Sequence, residues 1–189
     1  MVVLDDVLSE PECAAPFTAC EFRVKQATQA WEQQGARDLR RAVFCAEQGV
    51  FVRDDTDAID SYARTLVAVS CVGGVPDEVV GTVRIHEAEP GTWWGSRLAV
   101  HAAYRHHGRI GATLIRLAVS SAHGRGCTRF LAHVQAQNRE LFERLHWRAL
   151  AAETLHGRLH WLMEAGLEHY PPCRTPELGF VTRATGSRP

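Results

Sequence analysis

The sequence predicts one α+β domain, a central mixed and mostly antiparallel sheet flanked by helices. Three observations carry this. Two β-branched runs, Tyr62–Gly74 and Glu78–Glu89, flank the turn Gly73-Gly74-Val75-Pro76-Asp77 and read as an antiparallel hairpin. "LAVHAAYRHHGRIGATLIRLA", Leu98–Ala118, reads as a strand entering a helix through a loop that contains glycines. "RALAAETL" and "RLHWLMEA" form a last hairpin that turns at His156-Gly157. Strands joined partly by hairpins and partly through a helix fit one mixed sheet.

Residues 1–18 hold two prolines and little periodicity and read as a tail or cap, and residues 19–170 as the domain. "CEFRVKQAT" alternates as a first strand. Trp31, Leu39, Val43 and Ala46 mark the apolar side of a helix from Trp31 to Ala46. The acidic loop "RDDTDAID" follows, then the first hairpin and the short strand "WWGSRLAV". Leu114, Ile115, Ala118 and Ala122 share one face of a helix from Gly111 to His123, which Gly124 and Gly126 end. "CTRFLAHVQ" is a strand, and "NRELFERLH" a short helix with Asn138 as N-cap. Residues 171–189, after Tyr170-Pro171-Pro172, read as a loose tail.

Composition narrows the function. The 189 residues carry a net charge of -1, so no global field draws the chain to nucleic acid or an anionic membrane. No apolar run approaches the roughly 20 residues that cross a bilayer, and "MVVLDDVLSEPE" is acidic where a secretory signal is basic. A cytoplasmic protein is expected. The six cysteines form no CxxC pair and read as reduced thiols. "HGRLH" spaces two histidines four apart but lacks the glutamate of HExxH, so no metal is expected.

The loop after Val100 can hold an anion. A strand turning into a helix aims unpaired backbone N–H groups at one point, where the helix dipole is positive. Gly108 and Gly111 allow close approach, while Arg105 and Arg109 add charge.

Taken in order, the strand "RLAV", the loop "YRHHGRIGATL", the strand "FLAHVQ" and the segment "NRELFERLHW" resemble the acyl-CoA-binding core of the GNAT N-acetyltransferase superfamily. Upstream, "LRRAVFCAEQGVFVRDDTDAID" resembles the "R..VF..EQ…D..D" stretch of one branch, and "HGRLHWLM" that branch's "G.pH..M" strand. The whole is most similar to the nitrogen-starvation-associated acetyltransferase subfamily. The resemblance implies a V-shaped acyl-CoA cleft, with acetyl-CoA as co-substrate. Backbone groups of Leu98, Ala99 and Val100 would pair with the pantetheine arm, a Val100 N–H would serve the oxyanion, and amides from His106 to Ala112 would hold the pyrophosphate. That stretch takes in His107, Gly108, Arg109, Ile110 and Gly111, with Arg105 leading it. Asn138 would contact CoA near its thiol.

Two departures stand out. The family loop is Gln/Arg-x-x-Gly-x-Gly/Ala. Starting it at Arg105 puts Ile110 in the place of the second glycine, and anchoring it on Gly111 puts Arg109 in the place of the first. Phe142 occupies the place of a tyrosine that protonates the departing thiolate in many relatives; a thiolate leaves readily near neutral pH without it.

Candidate bases are Glu47, His86 and His160, with His133 reading as a hydrogen-bonded core residue. Asp54, Asp55, Asp57 and Asp60 would attract a cationic amine. Arg84 would bind an acidic group on the acceptor or pair with one of those aspartates. The leading reading is an enzyme moving acetyl from acetyl-CoA to a small-molecule amine. Alternatives are a CoA-binding domain that acts as sensor or partner subunit, and an acyltransferase resembling acyl-homoserine-lactone synthases that draws on acyl carrier protein. An exposed sheet edge suits a homodimer.

Overall fold

The computed structural model describes Ala19, residues 21–106 and residues 109–183. Among these residues eight strands form one sheet: β1 (Glu21–Gln26), β2 (Arg64–Val72), β3 (Val75–Glu89), β4 (Thr92–Val100), β5 (Arg129–Gln135), β6 (Trp147–Leu155), β7 (Arg158–Ala165) and β8 (Phe180–Arg183). Their order is β6-β7-β5-β4-β3-β2-β1-β8, and only β4 and β5 run parallel. The helices are α1 (Ala30–Arg40), α2 (Ile110–His123) and α3 (Arg139–Arg144).

Alternation along the strands sorts side chains onto two faces. On one, Val67 and Val69 pack with Ala36 of α1. On the other, Leu66, Ala68, Val83, Ile85 and Phe130 join Ile110, Leu114 and Ala118 of α2 in the main core. The two hairpin turns expected from the sequence have two residues each with positive φ, Gly73-Gly74 at 59° and 82° and His156-Gly157 at 50° and 72°. That pattern matches the twist of the strands it joins. Glycine adopts it freely; His156 does so at some cost.

The sequence reading needs three corrections here. The first helix stops being α-helical at Arg40, and Arg41–Glu47 winds as a π-helix, with the Gln48 amide donating to the Val43 carbonyl at 2.9 Å. Trp31 and Ala46, expected on its apolar side, lie exposed. Residues 171–189 are not wholly a loose tail, because β8 pairs antiparallel with β1 from Glu21↔Arg183 to Val24↔Phe180. The expected tail at residues 1–18 lies outside the described residues.

The parallel pair positions the site. β4 and β5 pair from Thr92↔Arg129 to Gly95↔Ala132 and then part. On the far edge of β4 a bulge sets Arg97 and Leu98 against Val83, with Arg97 at φ 54°. The sheet therefore opens in a V whose fork is Gly95 and Ala132.

Candidate active site

A cavity of about 550 Å³ runs through this V and touches both faces of the sheet. On the α1 face its wall includes Phe51, His86, Trp94, His133, His156 and His160. On the α2 face it includes Ile115, Ala118, Phe130, Ala132, Phe142 and Trp147. A passage through a sheet lets two reactants meet from opposite sides.

β4 turns its backbone into the opening. The His101 N–H donates to the Val80 carbonyl at 2.8 Å, across to β3. Strand alternation then points the Val100 N–H the other way, into the V. Ala99, next in the alternation, faces β3, where it pairs with Thr82, and Leu98 lies in the bulge and on the cavity wall. Beyond Val100 the chain makes a short turn and enters α2. The first helical bond there runs from Thr113 N–H to Arg109 C=O at 3.0 Å, so the amides of Ile110, Gly111 and Ala112 have no partner within the helix.

Arg109 caps α2 with φ 52°, the left-handed conformation that glycine adopts without cost. This favours the reading that sets Arg109 in the place of a family glycine. At Gly111 an added Cβ would meet only Val100 Cγ2 at 3.9 Å, so no protein contact demands glycine there. His106 is exposed; His107 and Gly108 lie outside the described residues. Arg105 makes a bidentate pair with Glu47 at 2.7 and 2.6 Å and donates from Nε to the Val100 carbonyl at 3.0 Å. It fastens the loop to the π-helix.

That pair decides the state of Glu47. Hydrogen bonds from Arg105 hold its carboxyl below the usual range. The cavity wall takes in Phe44 and Gln48 on either side of it but not Glu47. A carboxylate held ionised by a guanidinium is a poor proton acceptor.

His86 and His160 are both buried in the cavity wall. Desolvation by burial, with the nearby positive charge of Arg84, pushes the His86 imidazole below its ordinary value of 6.5. Its Nδ1 is buried and has no hydrogen-bond partner. The imidazole is thus neutral at pH 7, with Nδ1 unpaired and shielded from solvent. In His160, Nδ1 lies 2.9 Å from the Arg158 carbonyl, which holds the proton there and leaves Nε2 as the acceptor. His133 is exposed, not a core residue. Its Nε2 lies 3.1 Å from Glu153 and its ring 5.1 Å from Trp94. The burial expected of it fails because the sheet is open on that side of β5.

The acidic loop behaves differently from a solvated charge run. Arg84 grips Asp57 at 2.6 and 3.0 Å and reaches Asp60 at 2.8 Å. Arg40 holds Asp55 at 2.7 Å and Asp60 at 2.6 Å; Arg97 contacts Asp55 at 2.9 Å and Asp57 at 3.2 Å. Three arginines and three aspartates cancel. Hydrogen bonds from Arg84 keep the Asp57 carboxyl low. Against the opposing effect of burial, Arg40 holds Asp60 lower still. Neither Arg84 nor Asp57 offers a free charge to an acceptor. Arg40 and Arg97 were missed by sequence reasoning, because their partners lie far along the chain.

The network also fixes a strap over the cavity. Arg97 lies over the Phe51 ring at 4.6 Å, and Phe51 meets His156 edge-on at 5.2 Å. Arg158 donates to the Gln48 carbonyl at 2.6 Å, and Gln135 to the Gln48 side chain at 3.1 Å. The π-helix and the loop after it are thereby tied across the V to β5 and to the β6–β7 turn.

Asn138 lies in the cavity wall at the start of α3, and Phe142 follows one turn on, buried edge-on against Trp147 at 5.0 Å. Among the described residues, no cluster of His, Cys, Asp or Glu is arranged to hold a metal ion, and no helix is long and apolar enough to cross a membrane.

The fold has counterparts among solved structures. No curated protein sequence matches the chain. Solved structures do, at identities that establish the fold. A candidate N-acetyltransferase from Lactobacillus plantarum aligns with TM-score 0.68 and 23% identity over 76% of this chain and 97% of its own. An acyl-CoA N-acyltransferase from Pseudomonas aeruginosa gives 0.62 and 19% over 77% and 98%. FeeM, an N-acyl amino acid synthase from uncultured soil microbes, gives 0.62 and 12% over 81% and 95%. The family model for the acetyltransferase (GNAT) family matches residues 20–147, from β1 through the V to the start of β6, and the chain is a member of that enzyme family.

Proposed function

We propose that this chain is an acyl-CoA-dependent N-acyltransferase that moves an acyl group, acetyl in the smallest case, to the primary amine of a small molecule. The carrying observation is the cavity that crosses the sheet at the V. CoA enters from the α2 side. The amides of Ile110 to Ala112 meet its pyrophosphate, and the strand edge at Val100 meets the pantetheine arm. Asn138 lies beside the thiol end.

The amine arrives from the α1 face. The aspartates there are neutralised, so selection rests on shape and on the histidines and aromatic rings rather than on a free carboxylate. His86 takes a proton from the ammonium, directly or through water. The freed nitrogen attacks the thioester carbonyl while both reactants are held in one complex. A C–N bond forms and the C–S bond breaks. The Val100 N–H stabilises the oxyanion, and CoA leaves as thiolate without a tyrosine at position 142. His160 is the second base, with its tautomer already set. The finer kinship with the nitrogen-starvation-associated subfamily is supported by Glu47-Gln48, Asp57, Asp60 and the Gly157–Met163 segment.

A thermal melt tests this. Acetyl-CoA at about 100 times its dissociation constant stabilises the fold by roughly 2.7 kcal/mol. Acetyl-CoA and CoA should raise the midpoint well beyond adenosine diphosphate, because the strand edge adds to the loop. An equal shift with adenosine diphosphate would remove the pantetheine site, and no shift with any of the three would remove CoA. A CoA-dependent shift without turnover on any amine would favour the sensor or partner-subunit reading, which Phe142 motivates.

A further inference from the structure

We propose that the acceptor is an amine carried on a flat aromatic ring, and that the rings on the α1 side of the cavity select it. This rests on the acyltransferase reading above and names the class of its second substrate. Three rings lie in a row across the sheet there. His86 pairs with Trp94 across β3 and β4, so their side chains share a face, and the His133 ring lies 5.1 Å from that of Trp94. Phe51 of the strap and His156 of the β6–β7 turn, edge-on at 5.2 Å, add two more rings to the same wall. Trp94 and Phe51 are only half-buried, and His133 and His156 are exposed. Their surfaces are therefore not used up in packing the core.

The charge of the wall points the same way. Among the described residues, its only carboxylate and guanidinium groups are those of Asp57, Arg84 and Arg97. Arg84 grips Asp57 at 2.6 and 3.0 Å, and Arg97 is occupied by Asp55 and Asp57. Glu153 meets His133 at 3.1 Å but is not part of the wall. A polyamine would bring a second ammonium to a wall with no free carboxylate. An amino acid would bring a carboxylate to a wall with no free guanidinium. Either group would lose water without gaining a charged partner. A flat ring needs neither. Its face and edge suit those of Trp94, Phe51 and the imidazoles, and each such ring pair contributes beyond the area it covers.

Calorimetric titration of amines into the protein, with and without saturating CoA, tests this without turnover. Benzylamine and its saturated counterpart cyclohexylmethylamine form the critical pair, since both carry an ammonium at the same distance from the ring. Two ring contacts predict that benzylamine binds about tenfold more tightly. Tryptamine should bind tighter still, and spermidine and glutamate more weakly than either aromatic amine. Trp94→Leu should bring the benzylamine preference down to roughly threefold, one contact's share. Phe51→Leu, outside the sheet, should do the same and serves if the first variant folds poorly; unchanged CoA affinity shows that the fold survives. Equal binding of the matched pair, a preference untouched by both variants, or tighter binding of spermidine or glutamate would overturn the aromatic class and leave the acyltransferase reading in place. CoA binding with no amine bound would overturn the acceptor site and favour the sensor reading. Ring-dependent binding in a protein that takes no CoA would overturn the acyltransferase reading and leave the ring site.

Discussion

The two faces of the sheet meet at one fork but hold themselves together by opposite means. The α2 face is a packed apolar core, in which the Phe130 ring lies against Gly95 at the fork. The α1 face rests on six paired charges, from Arg40, Arg84, Arg97, Asp55, Asp57 and Asp60, of which Arg40, Arg84 and Asp55 are buried. An apolar wall degrades gradually, because each lost methylene removes only its own contacts. A closed charge network is all or nothing, since one lost partner strands a buried ion. The difference suits the two tasks. A donor side needs an apolar wall that excludes water, while an acceptor side needs a fixed floor under the base.

The sharpest way to break the contrast is to remove one arginine. The Arg40 and Asp55 side chains are only 4% and 2% exposed. Arg40→Met keeps the aliphatic bulk but leaves Asp55 short of a partner, and should cost about 3–5 kcal/mol in denaturant unfolding. Ala118→Val on the opposite face serves as the apolar control, with a loss below that. The network also has a pH signature. The folded-state values of Asp57 and Asp60 lie below the usual 3.8, so their contribution is full above that pH and disappears as pH falls below it. In Arg40→Met the loss across this acid range should be smaller, because Asp60 without its main cation has a folded value nearer 3.8.

His86 tests whether the polar floor serves chemistry. His86→Gln should lower kcat by roughly 10²–10⁴ while thioester binding in calorimetry stays put. Burial and Arg84 hold the imidazole below 6.5 in the folded protein. The neutral, competent form is therefore complete at pH 7, and the acid limb of kcat/KM should fall below pH 6.5 and vanish in the variant. The same sign applies to stability. This histidine's contribution is present above 6.5 and is lost as pH falls toward its folded value. An unchanged acid limb in His86→Gln would pass the role of base to His160, whose Nε2 is free of the Arg158 carbonyl.

What the sequence revealed follows the same division. Hairpins, the strand entering α2 and the Phe142 segment were legible because their codes are local: turn residues, period-two alternation, a helix face. The network was not. Arg84 and Asp57 lie 27 residues apart and Arg97 and Asp55 42, so the aspartates read as a solvated run that would attract an amine. Folding places an arginine against Asp55, Asp57 and Asp60, while Asp54 accepts from Thr56. The sign of the site's electrostatics could only come from space. β8 was missed for a related reason. Phe180–Arg183 is too short to show alternation, and its partner, β1, lies at the other end of the chain. The π-helix has no sequence signature distinct from the α-helix it continues. Glu47 was singled out by its place beside Gln48, and its partner Arg105, 58 residues away, was invisible from there.

That last pair gives the mildest test, because it joins the two faces without belonging to either. Arg105 and Glu47 are 38% and 42% exposed, so the pair contributes only about 0.2–1 kcal/mol and weakens with salt. Glu47→Gln should leave the melting midpoint within a degree or two and leave the acid limb of the pH profile where it was, as befits a carboxylate that is not the base. Its effect should appear at the loop. Freed from Glu47, Arg105 becomes available to the pyrophosphate, and CoA affinity should rise severalfold at low ionic strength and converge with the parent at high salt. A large loss of kcat in Glu47→Gln, with binding unchanged, would instead make Glu47 the proton acceptor despite its guanidinium, and would move the chemistry from the polar floor to the π-helix.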